Sequence, residues 1–279
     1  MSELDLSIIG KKTDETIFKY NWKDVVLYAL GIGARINDLQ FVYEGYSDGL
    51  KVLPSYACII AAAGLQLKKL GKLDFSRFVH GEQSIKLYRS FSPSGEIICR
   101  GEVNNIFDKG KAAVIHMKVS GYTKEDEHIF DTKWVFFYLG GGGFGGEQGP
   151  KTETITPPEG KEPDFSISYK TTEAQAALYR LNGDFNPLHI DPEFAGRSGR
   201  FKGPILHGLC TYGFATRAIV DSICNGDVEH FKEFKARFTH EVYPGETLIT
   251  EGWKDNDRYI IQVRTENSVV LSNAYAIIN

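Results

Sequence analysis

Gly203-Pro204-Ile205-Leu206-His207-Gly208-Leu209-Cys210-Thr211-Tyr212-Gly213-Phe214-Ala215-Thr216 begins a run that stays mostly apolar to about Cys224. Ile205, Leu209, Tyr212, Ala215, Thr216 and Ile219 recur at three- and four-residue spacings, which predicts a helix from Pro204 onward. A helix that is apolar nearly all round needs cover on every side. Strand-like runs follow it at residues 234–242, 246–254, 259–265 and 268–278. In the third of these, Tyr259, Ile261 and Val263 alternate with Ile260, Gln262 and Arg264, the period of a strand. Val242-Tyr243-Pro244-Gly245 reads as a turn between the first two. The expectation is an α+β unit in which an antiparallel sheet wraps around a helix.

Working upstream, residues 172–181 read as a shorter helix with Ala174, Ala177, Leu178 and Leu181 on one face. Before it lies a glycine-rich stretch from Gly140 to Gly149 and a polar run to about Pro163. This predicts a flexible linker. No Gly-Lys-Ser/Thr follows the glycines, so they do not form a phosphate loop. The linker separates two halves that echo each other. Leu27-Tyr28-Ala29-Leu30-Gly31 matches Leu178-Tyr179-Arg180-Leu181-Asn182, Pro54 falls opposite Pro204, and Leu87-Tyr88-Arg89 falls opposite Phe238-Thr239-His240. Three matches in order at a nearly constant spacing imply a duplicated unit, with repeats at 1–150 and 151–279. The first half carries its own strand patterns at residues 83–91, 95–108, 111–122 and 128–139. Its helical run at 55–67 is weaker, rich in alanine and interrupted by Gly64.

Composition limits the function. With 279 residues, 42 % apolar content and a formal net charge of −4, the chain buries a real core and has no electrostatic bias toward nucleic acid or anionic membrane. A polyanionic ligand would have to meet a local basic cluster. Cys58, Cys99, Cys210 and Cys224 stand apart in apolar surroundings, which predicts buried, reduced thiols of an intracellular protein. The opening residues Met1 to Asp5 do not read as a signal peptide, and no apolar run approaches the ~20 residues that span a bilayer.

The chemistry concentrates in Gly183-Asp184-Phe185-Asn186-Pro187-Leu188-His189. Gly183 permits a tight backbone, and Pro187 stiffens it by removing an amide hydrogen and restricting Asn186. Asp184 and His189 can then be aimed into one space, where a carboxylate and a group titrating near neutrality could hold a water. Asn186 adds a donor and an acceptor. The plainer readings are that Asp184 and Asn186 are Asx-turn residues with His189 a packed surface histidine, or that His189, Asp191 and His207 bind a metal, although no known ligand spacing is met. Free amides where the stretch Gly203 to Cys210 opens the apolar helix would receive a developing oxyanion. An acid–base pair beside them suits chemistry next to a carbonyl.

Tyr179-Arg180-Leu181-Asn182-Gly183-Asp184-Phe185-Asn186-Pro187-Leu188-His189, with Ala195 beyond, resembles the signature of type-2 (R-specific) enoyl-CoA hydratases of the MaoC-like hotdog family. The duplication, His80-Gly81-Glu82-Gln83 and Asp108-Lys109-Gly110-Lys111 make the chain similar to the eukaryotic branch, which forms the hydratase part of peroxisomal multifunctional enzymes. Asn182 departs from the pattern, where a small residue is usual. The resemblance implies a double hotdog fold and reversible hydration of trans-2-enoyl-CoA to (3R)-3-hydroxyacyl-CoA in β-oxidation. It implies catalytic roles for Asp184, His189 and Asn186, and for the Gly208 amide as oxyanion donor. His80, Gly81, Lys109 and Phe238 would line the substrate and CoA channel, and Glu82 would be a structural carboxylate nearby. Lys109, Lys111, Arg197, Arg200 and Lys202 are candidates for the CoA phosphates. On the same footing come a degenerate first half that holds the acyl tail, a homodimer, fused dehydrogenase domains, a peroxisomal location, and neither metal nor cofactor. Counted back by the repeat, Gly33 stands where Asp184 does and Asp38 where His189 does, so one site per chain is expected. The rival readings are a hotdog thioesterase, an acyl-carrier-protein dehydratase and a non-catalytic acyl-CoA binding module.

Overall fold

The computed structural model describes residues 3–151, 153–197 and 199–279. Met1, Ser2 and Thr152, which fall in the stretches read for a signal peptide and a linker, lie outside the described residues. Ten strands form one antiparallel sheet: β1 Thr16–Tyr20, β2 Phe78–Leu87, β3 Gly95–Asp108, β4 Ala112–Tyr122, β5 His128–Leu139, β6 Phe165–Lys170, β7 Phe231–Phe238, β8 Thr247–Asp255, β9 Arg258–Arg264 and β10 Val269–Ile278. Their order is β1-β3-β4-β5-β2-β7-β10-β9-β8-β6, in which each half mirrors the other about the β2–β7 seam. Two wrapped sheets joined edge to edge make the double hotdog expected from the sequence.

Each half holds a central helix, α2 Tyr56–Leu65 in the first and α4 Gly208–Ser222 in the second. Each also has a helix leading into it, α1 Trp22–Gly31 and α3 Gln175–Tyr179. Every residue of α4 from Cys210 to Val220 is buried, as a helix apolar all round requires. It starts at Gly208, not at Pro204, because residues 204–207 run without helix into its N-terminus. Helix α2 is better formed than its composition suggests. Gly64 lies inside it, and a Cβ there would meet Val119 Cγ1 at 2.8 Å, so glycine lets the helix lie close on the sheet. The helix ends at Gln66 in a left-handed conformation.

The glycine-rich stretch is not the loose linker expected. The buried Asp108 carboxylate accepts from the amides of Gly110, Gly143 and Gly145, each at 2.8 Å, and these bonds hold it below the usual carboxylate range. Further along, the Ile155 amide donates to Asn273 at 2.6 Å, and the Trp253 indole donates to the Lys161 carbonyl at 2.9 Å. The connection is therefore strapped across the outer face of the sheet. All four cysteines are free and buried, with their thiols pushed up by burial. No described helix is long and apolar enough to cross a membrane.

Candidate active site

Helix α3 passes through a short 3-10 turn, Arg180–Asn182, into Gly183, whose φ of 116° is available to glycine at little cost. Asn182 donates from Nδ2 to the Tyr179 carbonyl at 2.9 Å, capping the end of α3, so its departure from the family pattern acts on the turn. Beyond Gly183 the chain makes two nested turns. Asp184 Oδ1 accepts from the Asn186 amide at 3.2 Å, and Asn186 Oδ1 accepts from the Leu188 amide at 3.0 Å, with Pro187 opening a 3-10 turn to His189. The Asx-turn reading of these two side chains is thus correct as far as it goes. The surface reading of His189 is not, because it is buried.

His189 Nδ1 lies 2.9 Å from the Ile205 carbonyl and must donate to it. That sets the tautomer and leaves Nε2 as an acceptor. Asp184, His189 and His207 each bring one side-chain donor atom within 4.8 Å of the others. His207 is the N-cap of α4, so Gly208 is the first residue of that helix, and its amide belongs to the helix's unsatisfied positive end. The His207 ring stacks on His189 at 3.8 Å and 29°, and its Nε2–H donates to the Asp184 carbonyl at 3.2 Å.

The opposite wall comes from the first half. A β-bulge in β2 puts Gly81 out of register between His80 and Glu82. The His80 ring stacks on Trp134 at 5.1 Å and leans on Phe136 at 5.0 Å and Phe238 at 4.8 Å. Phe238 covers Gly208 so closely that a Cβ there would lie 3.2 Å from its ring. Burial pushes His80 down to about 4, with the Glu82 carbonyl and then Asp184 pulling the other way. Burial also lowers His189, and it lowers His207 with the repulsion of His189 added. The site sets an exposed carboxylate, Asp184, beside imidazoles that burial favours in their neutral form.

Asp184, His189, Gly208, His80 and Phe238 therefore converge, whereas Gly81 is turned toward Phe137 and Val135 on the other side of the strand. Asn186 holds the turn. Lys109 sits apart at the tip of the β3–β4 hairpin, exposed, beside the Asp108 clasp. Glu82 faces away, ion-paired to Lys235 at 3.3 Å and Arg237 at 2.5 Å, the structural carboxylate expected. Arg197 reaches Glu193 at 3.9 Å, and the Lys202 amide donates to Tyr243, so both belong to the segment leading to α4.

Two further readings are decided by geometry. Asp191 is not in the cluster; it caps a short helix through the amides of Glu193 and Phe194. Asp184 stands beside the two histidines instead, and these three side chains bring one possible ligand atom each within 4.8 Å of one another. The counterpart site around Gly33 is filled, because a Cβ there would come within 2.4 Å of the Phe214 ring and 3.1 Å of Arg217. Sequence reasoning weighed His207 only as a metal ligand. Its place directly before Gly208, at the start of α4, is the signal that marks it.

Residues 154–274 match the MaoC-like domain, and residues 18–140 match the N-terminal domain of the hydratase 2 part of the type-2 multifunctional enzyme. The chain is 40 % identical over 278 residues to the peroxisomal multifunctional enzyme type 2 of Mus musculus, covering 96 % of this chain and 37 % of that protein. It is 37 % identical to the probable enoyl-CoA hydratase 2 of Dictyostelium discoideum, covering 97 % and 95 % respectively. A MaoC-like dehydratase crystal structure from Phytophthora capsici superposes with a TM-score of 0.88 at 29 % identity, over 99 % of this chain and 98 % of that one. The chain thus spans about a third of the mouse protein and nearly all of the Dictyostelium protein.

Proposed function

The chain belongs to the enoyl-CoA hydratase 2 branch of the MaoC-like family, and from that premise we propose that it adds water to trans-2-enoyl-CoA thioesters to give (3R)-3-hydroxyacyl-CoA in β-oxidation. The observation that carries the reading is the free Nε2 of His189, set by its Nδ1 bond to Ile205, beside Asp184 and the α4 N-terminus. Water held between Asp184 and His189 attacks C3 while the His189 Nε2 takes its proton. The electron pair of the double bond moves toward the thioester oxygen. There the Gly208 amide and the helix dipole meet the enolate charge. The imidazolium formed, paired with Asp184, returns the proton to C2, directly or through the carboxylate. One water is consumed and the dyad ends as it began. Asn186 keeps Asp184 in place through the nested turns.

His80 and Phe238 form the wall against which the enoyl thioester lies. Lys109, with Lys111 beside it, meets the CoA phosphates at the hairpin tip, with Arg197, Arg200 and Lys202 as further candidates. The acyl tail extends into the first repeat (residues 1–150), while the second (151–279) carries the chemistry. By family, the chain works as a homodimer joined to dehydrogenase domains, in the peroxisome. The test is to incubate the protein with crotonyl-CoA and decenoyl-CoA and resolve the product. A (3R) alcohol is expected. A (3S) alcohol, or release of free CoA thiol, would contradict the reading.

A further inference from the structure

Resting on the hydratase reading, we propose that His207 is a positioning residue that holds the Asp184 backbone, the His189 ring and the Gly208 amide in one frame. Two side-chain contacts and one backbone position meet at this single residue. Its Nε2–H donates to the Asp184 carbonyl, its face stacks on His189, and its own backbone is the N-cap that presents Gly208. The ring is buried, and its Nδ1 has no partner, a costly arrangement for packing alone to retain.

The duplicated half supplies an internal control. Tyr28 and Tyr179 are repeat counterparts, 6.3 Å apart at the centre of the molecule. On Tyr179 leans His207, at 4.9 Å and 50°; on Tyr28 leans Tyr56, at 5.3 Å and 58°. Both leaning rings sit at the start of the central helix of their half. In the half without a dyad, a tyrosine satisfies the packing. In the half with one, the ring carries an N–H aimed at the Asp184 backbone. The two rings come from adjacent helix positions, His207 the N-cap of α4 and Tyr56 the first residue of α2, and the ring beside the acid–base turn adds an N–H to the Asp184 backbone. Such oriented supports are commonly worth ~10- to 100-fold when lost at metal-bound histidines, and the same order applies to a dyad held this way.

Two variants separate the contributions. His207→Phe keeps a ring against His189 and Tyr179 but loses the donor. His207→Gln keeps a donor but loses the ring. With crotonyl-CoA, His207→Phe should lower kcat by roughly 10- to 100-fold while KM stays within about twofold. His207→Gln should recover part of that loss. The Phe185 amide, which shares a peptide group with the Asp184 carbonyl, should shift in the NMR spectrum of His207→Phe because that carbonyl loses its donor. A wild-type kcat in His207→Phe, an unmoved Phe185 amide, or a loss that only follows the folded fraction by circular dichroism would overturn the proposal. Failure of the unmodified protein to hydrate any enoyl-CoA would instead sink the hydratase reading. The NMR comparison decides the role of His207 in either case.

Discussion

Removing either member of the dyad should cost a general acid or base. We expect Asp184→Ala and His189→Ala to lower turnover by roughly 10²-fold or more in folded protein, measured by loss of enoyl absorbance. Near-full activity in either variant removes that residue from the mechanism. The pH dependence follows from burial. The His189 Nε2 can accept a proton only while the ring is neutral, and burial holds its pKa below the ordinary 6.5. The acid limb of kcat/KM should therefore fall below pH 6.5, and a midpoint above it would contradict the assignment. At this scale much was legible beforehand: Gly183, Pro187 and the spacing of Asp184 and His189 define the turn. The role of His207 was not, because stacking and a bond to a backbone carbonyl leave no trace in residue spacing.

Elements were legible where neighbours on both sides impose alternation. Strands β3 and β5 run over the predicted residues, since each lies inside the sheet. Strands β1 and β6 were not read. They are five and six residues long and lie at the two sheet edges, where a strand has one neighbour and a weak pattern. The glycine-rich connection misled for a physical reason. Composition reports backbone freedom, whereas the order of this loop comes from one distant carboxylate collecting its amides. Asp108→Ala should free residues 140–149, seen as faster amide exchange at Gly143 and Gly145. Since Asp108 is held below the usual carboxylate range, its clasp is present above about pH 4 and is lost as pH falls through its lowered value. Exchange at these amides should therefore accelerate in acid beyond the intrinsic pH dependence. Protection that is unchanged in Asp108→Ala would mean the loop is held by something else.

At the scale of the molecule, the two repeats are not independent beads. The last carbonyls of helix α1 in the first half, including that of Leu30 already bonded by the Gly33 amide at 3.0 Å, accept from side chains of the second half. Gln175 donates to Gly31 at 2.7 Å and Leu30 at 3.3 Å, Cys210 donates to Gly31 at 3.3 Å, and the buried Arg217 donates to Ile32 at 3.1 Å. All three donors belong to the second half. Helix α4 also fills the space that a second active site would need at Gly33, and β2 and β7 make the sheet continuous. Arg217 takes part in both, packing against Gly33 and donating to Ile32, so the residues that close the space at Gly33 also help to bind the halves together. Urea unfolding should follow one transition, with coincident tryptophan fluorescence and far-UV circular dichroism. Trp134 and Trp253 report opposite halves, so two resolved transitions would contradict the coupling. Gln175→Leu should shift that single transition by about 1–3 kcal/mol, the cost of leaving the buried Gly31 carbonyl short of a donor. A Gln175→Leu protein that unfolds in two steps, or with unchanged stability, would show that the α1 terminus is not where the halves are joined.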